Sequence, residues 1–99
     1  MRLSTEERLV LKAHFAHEIG ADCDVLLFGS RADDNRRGGD VDLLVRSPRL
    51  LQGHVWLAAR LAARAERLLG GRRVDVLLLD PATPVQPVHA AALTLGVAL

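Results

Sequence analysis

Apolar and polar positions fall in blocks along the chain, and each block has a period that selects helix or strand. Ser4 and Glu7 stand at capping-box spacing, where hydroxyl and carboxylate each satisfy an orphan amide at a helix start. A helix is predicted from there to about Glu18, closed by Gly20, with Leu11, Phe15 and Ile19 on one stripe. Asp24 to Phe28 (DVLLF) is a continuous apolar run too short for a helix, and it predicts a buried strand ending at Gly29. Residues 31–39 (RADDNRRGG) are polar and rich in turn formers, hence a loop or a short helical turn plus a loop. Val41 to Arg46 (VDLLVR) predicts a second strand, ended by Ser47-Pro48.

The stretch from Arg49 to Leu69 is rich in Leu, Ala and Arg and stops at Gly70-Gly71, which predicts a long helix. It carries two apolar stripes, one through Leu51, Val55, Ala58, Ala62, Ala65 and Leu69, the other through Leu50, Leu57, Leu61 and Leu68. The second stripe is covered either by the first helix or by a partner. Arg73 to Leu79 (RVDVLLL) is a third strand, PATPVQP a turn-rich loop, and Val88 to Leu95 a short last helix with Gly96 as its C-cap. The order α-β-loop-β-α-β-α predicts an α/β (α+β) fold of two layers: a small mixed β-sheet covered by helices, in one domain over residues 1–99.

Composition narrows the functional classes. With 49% apolar residues the chain can build a core without staples, and its single cysteine, Cys23, excludes an internal disulfide framework. Next to a strand, that thiol reads as core filler. No apolar run of about 18 residues occurs and MRLSTEER lacks a leader's apolar stretch, so a cytoplasmic protein without a membrane anchor is expected. Thirteen basic against 12 acidic residues, and only Phe15, Phe28 and Trp56 as aromatics, supply neither the charge nor the stacking platform of a nucleic-acid binder. His14, His17, His54 and His89 fall on predicted helices without ligand spacing to one another, and read as surface or packing residues.

Three features carry candidate chemistry. Strand one ends in Gly29-Ser30, where a glycine permits close approach to a phosphate and a hydroxyl adds a donor. Asp40 and Asp42 flank Val41 at the start of strand two, and a period of two puts both carboxylates on one face. Two acids held side by side repel, which a hard divalent cation such as Mg²⁺ would relieve. Asp75 sits within strand three, where carboxylates are disfavoured; if strands two and three are neighbours, it faces the Asp pair. Asp80, just past that strand, is a weaker candidate because turn aspartates are common.

Each feature alone is common; their order is specific. The run LFGSRADDNRRGGDVDLLV resembles the signature of DNA polymerase β-like nucleotidyltransferases, a hydrophobic-Gly-Ser, a loop and Asp-x-Asp. Within that superfamily the chain looks most like the minimal nucleotidyltransferase (MNT) proteins, the MntA-type antitoxins of HEPN/MNT pairs, over roughly residues 24–99. Its loop is one residue shorter than in many members. The resemblance implies that Gly29, Ser30 and the neighbouring Arg31 bind the triphosphate. It implies that Asp40, Asp42 and Asp75 are catalytic and hold two Mg²⁺ ions, with ATP as the substrate. Such a pair of ions activates the attacking hydroxyl and steadies the leaving pyrophosphate from sites roughly 3.5–4 Å apart.

Asp33, Asp34, Arg36 and Arg37 read as a solvated loop, with Arg36 or Arg37 within possible reach of a phosphate or partner. Larger relatives carry added domains that grip the acceptor, and this chain has about twenty residues beyond its third carboxylate strand. The resemblance therefore implies a partner, a HEPN-type helical toxin in a hetero-oligomer, with AMP attached to one of its tyrosines. Without any tyrosine of its own, the chain cannot modify itself there. Two alternatives stand beside this reading. One is a binding module that neutralises its partner by occlusion, with weak or no catalysis; the other is a small-molecule nucleotidyltransferase that needs a second subunit.

Overall fold

The computed structural model describes residues 3–28 and 40–99. The chain opens with α1 (Thr5–Glu18), N-capped by Ser4: the Glu7 amide donates to Ser4 Oγ at 3.0 Å, and the Ser4 amide donates to the Glu7 carboxylate at 2.8 Å. Then come β1 (Asp24–Phe28), β2 (Val41–Arg46), α2 (His54–Leu68), β3 (Val74–Leu79), α3 (Pro87–Leu95) and β4 (Val97–Ala98). The sheet order is β3-β2-β1-β4. β1 runs antiparallel to both β2 and β4, while β2 and β3 are parallel and joined by the α2 crossover. The predicted α/β architecture, a small mixed sheet layered with helices, is the one observed.

Alternation along the strands sorts the core into two parts. Val25, Leu27, Val41, Leu43, Val45, Val74 and Leu78 pack with Leu11 and Phe15 of α1 and Leu61 and Ala65 of α2. The opposite face of the sheet carries Leu44 and Leu79, covered by Ala92 and Leu93 of α3, with Leu26, Phe28 and Leu77 at its margin. The principal layer of helices is therefore α1 with α2, and α3 shields part of the other side. Among the described residues no helix is long and apolar enough to cross a membrane.

The sequence reading starts the long helix at Arg49; the structure starts it at His54. The intervening backbone is claimed by a local serine turn and by one distant carboxylate. Ser47 Oγ accepts the Arg49 amide at 3.0 Å and donates to the Arg49 carbonyl at 2.7 Å. The Leu51 amide donates to Asp80 at 2.8 Å, and Gly53 takes a left-handed turn at φ 58° before the first helical residue. With its start moved, the predicted Leu51 stripe loses its first turn, and Val55 is 80% exposed. The second stripe is divided: Leu61 is buried beneath α1, whereas Leu50 and Leu68 face solvent.

The far end of α2 follows its local signal. The Gly71 amide donates to the Glu66 carbonyl at 2.8 Å and the Gly70 amide to the Arg67 carbonyl at 3.3 Å, a Schellman arrangement with both glycines at positive φ. The Glu66 carboxylate then accepts the Val74 amide at 3.1 Å, tying helix end to strand start. Gly96 serves differently from the expected left-handed cap. Its backbone is extended, and a Cβ there would strike the Ala92 carbonyl oxygen and press on Leu26. It lets the chain turn tightly from α3 into β4, a two-residue strand with no counterpart in the sequence reading.

Candidate functional site

Parallel pairing of β2 with β3 makes Asp42 and Asp75 direct partners in register. Residues paired in this way point to the same face from strands roughly 4.8 Å apart. On the other side of β2, the partner of Asp42 is Phe28. A row Phe28–Asp42–Asp75 thus crosses the sheet on the face that α3 partly covers. Asp42 and Phe28 are half-buried, and Asp75 at the outer strand is exposed. Asp40, also half-buried, stands one residue before β2.

Three facts fix what this row can do. Carboxylates side by side on neighbouring strands repel. Arg73 Nε lies 3.8 Å from Asp75 Oδ1, with both side chains more than half exposed; a surface pair of this kind contributes little and leaves the carboxylate accessible. Among the described residues no three His, Cys, Asp or Glu side chains are grouped closely enough to hold a metal ion. What the strands assemble is a pair, Asp42 with Asp75, with Asp40 beside it in the chain. That donor set suits Mg²⁺, which takes one or two protein carboxylates and fills its remaining positions with phosphate oxygens and water. Gly29, Ser30 and Arg31 lie outside the described residues, as do Asp33, Asp34, Arg36 and Arg37. Phe28, which directly precedes Gly29, is the register partner of Asp42, a relationship that strand parity alone could not supply.

Asp80 is a structural residue at the other end of β3. It is buried, and its carboxylate accepts the Leu51 amide at 2.8 Å, His54 Nε2 at 2.9 Å, Thr83 Oγ1 at 2.7 Å and the Ala82 amide at 3.0 Å. The Leu51 amide above all, and then the Thr83 hydroxyl, hold its carboxyl far below the ordinary carboxylate range. The sequence offered only the turn role of Asp80, because the Leu51 and His54 donors stand some thirty positions away.

The remaining polar candidates have packing or capping partners. His14 Nε2 lies 3.2 Å from the Leu61 carbonyl, and His89 Nδ1 accepts the Gln86 amide at 2.9 Å, capping α3. His17 is largely exposed beside Glu18. Cys23 is a free thiol packed on the edge of the core, and burial, helped by Asp24 and Asp22, pushes its pKa up, away from reactivity. Trp56, which the stripes leave uncovered, is 83% exposed.

No model of a known protein family matches the chain, and no curated protein matches it either.

Proposed function

We propose that this domain is a minimal nucleotidyltransferase that moves AMP from ATP to a hydroxyl of a partner protein, the tyrosine of a HEPN-type toxin being the acceptor that the sequence resemblance implies. The observation that carries the reading is the register of Asp42 with Asp75, two acids side by side on adjacent parallel strands. The Gly29-Ser30 pair that follows Phe28 adds support, since Phe28 is the neighbour of Asp42 in the sheet.

In this reading Asp42 and Asp75 would hold Mg²⁺, with Asp40 as the further acid beside them in the chain, while Gly29 and Ser30 would bind the triphosphate and Arg31 would offset part of its charge. Bound there, the metal supplies Lewis-acid stabilisation of phosphoryl charge and a lowered pKa for the attacking hydroxyl. The acceptor oxygen forms a bond to the α-phosphorus as the bond to the β-phosphate bridge breaks. Pyrophosphate leaves, and the hydroxyl proton passes to solvent. The chain's own contribution is position: rigid neighbouring strands hold two acids in one fixed relation, so little ordering is left for the reactive complex.

The test is to incubate the protein with the product of its neighbouring gene, Mg²⁺ and α-labelled ATP. The neighbour is expected to acquire label, and Asp42→Ala to abolish it. Absence of label with every nucleoside triphosphate and with Mg²⁺ or Mn²⁺ would refute transfer. The exposed Val55 and Trp56 on α2 favour a second reading, neutralisation of the partner by occlusion. An Asp40→Asn/Asp42→Asn variant that still neutralises the partner would select it.

A further inference from the structure

Helices α1 and α2 pack side by side on one face of the sheet, and between them opens a groove of about 680 Å³. Val10 and Ala13 of α1 and Leu61 and Leu68 of α2 give it apolar lining. Arg60, Arg64 and Arg67 line it from α2, and His14 and His17 from α1. The arginines recur at i, i+4 and i+7, which places them along one face of α2; Val10, Ala13, His14 and His17 have the matching spacing on α1. The groove thus follows both helices for about two turns, roughly 10–12 Å.

Its charge is one-sided. Glu18 is the one carboxylate among the groove's described residues, and it is taken by Arg60 at 3.3 Å. Among the described residues no carboxylate pairs with Arg64 or Arg67. An apolar strip flanked by guanidinium groups is complementary to a helix with leucine-like residues at i, i+3, i+4 and i+7 and acids on its flanks. A nucleic-acid strand fits less well. No Phe, Tyr or Trp is among the residues lining the groove to stack a base, and the chain's formal net charge is only +1.

We propose that this groove docks an acidic amphipathic helix of a partner protein, with the partner's apolar stripe against Val10, Ala13 and Leu68 and its carboxylates on Arg64 and Arg67. The Asp42–Asp75 row lies on the opposite face of the sheet, so an occupied groove leaves that row open. Docking stands whether or not the domain transfers a nucleotide.

The experiment titrates the isotope-labelled full chain with synthetic peptides of about four turns, read by amide chemical shifts. One peptide carries Leu on one stripe and Glu on its flanks, the second has the same residues scrambled, and the third has Lys for Glu; a short RNA duplex is the fourth probe. The acidic amphipathic peptide should give saturable shifts at Val10, Ala13, His14, Arg64 and Leu68. The double variant R64E/R67E should weaken it at least roughly tenfold and should bind the Lys peptide better than the parent does. Both arginines are exposed, so that variant should keep the parent's melting temperature, which checks its fold. The proposal is overturned if the acidic peptide gives no saturable shifts up to about millimolar concentration. It is equally overturned if the scrambled peptide matches the acidic one, or if R64E/R67E changes nothing. Tighter binding of the RNA duplex at these same residues would reassign the groove to nucleic acid.

Discussion

Asp42 and Asp75 are Cα partners across the parallel β2–β3 pairing, half-buried on the inner strand and exposed on the outer one. Two negative charges held on adjacent strands repel, and that repulsion makes the pair testable without knowing any substrate.

Replacing Asp75 by Asn removes the repulsion and keeps the shape. In chelator, the variant should be more stable than the parent by roughly 0.5 kcal/mol, a rise of about 2–4 °C in Tm for a domain of this size. Millimolar Mg²⁺ or Mn²⁺ should raise the parent's Tm and leave that of Asp75→Asn nearly unchanged. Melting curves with and without the metal decide it, at low salt, where repulsion is least screened. A lower Tm for the variant in chelator would show that the two acids do not oppose each other.

Asp80 should dominate acid sensitivity. Its carboxyl is held below its ordinary value of 3.8 by the Leu51 amide and the Thr83 hydroxyl, so the folded state favours the ionised form. That contribution is complete above the unfolded value and is lost as pH falls from about 4 through the lower folded value. Asp80→Asn should be markedly destabilised at neutral pH and show a shallower further loss on acidification. Urea unfolding of both proteins between pH 7 and pH 3 measures the difference, and parallel pH profiles would contradict it.

Burial separates the stripes of α2. Leu61 is fully buried between α1 and the sheet, and Leu61→Ala should cost about 2–5 kcal/mol. Val55→Ser and Trp56→Ser, at exposed positions, should each stay within about 0.5 kcal/mol of the parent. Chemical denaturation of the three variants is sufficient. A large loss at Trp56 would mean that this side chain is packed in solution.

Gly96→Ala should disturb the join of α3 to β4. The added methyl meets the Ala92 carbonyl oxygen and the Leu26 side chain, an overpacking of about 1–3 kcal/mol. Because β4 pairs with Leu26 and Leu27 of β1, hydrogen exchange should quicken along that ladder before it does in β2 and β3. Unchanged exchange at the β1–β4 ladder would contradict the tight-turn role.

Much of this protein was legible residue by residue. The Ser4–Glu7 box, the apolar runs of β1 and β2 bounded by glycine and proline, and the Gly70-Gly71 stop are local signals, each decided within a few bonds of the residues that carry it. The parity of Asp40 and Asp42 about Val41 is local in the same way. What lay beyond the sequence depends on contacts between distant segments. The start of α2 at His54 depends on the carboxylate of Asp80, which captures the Leu51 amide, and the two-residue β4 exists only because β1 offers it an edge. The setting of Asp42 between Phe28 and Asp75 is a matter of register, which no single strand encodes. Backbone propensity and capping act over a few residues, whereas register and side-chain capture are settled when separate elements bury their apolar faces together, and only the tertiary structure records that outcome.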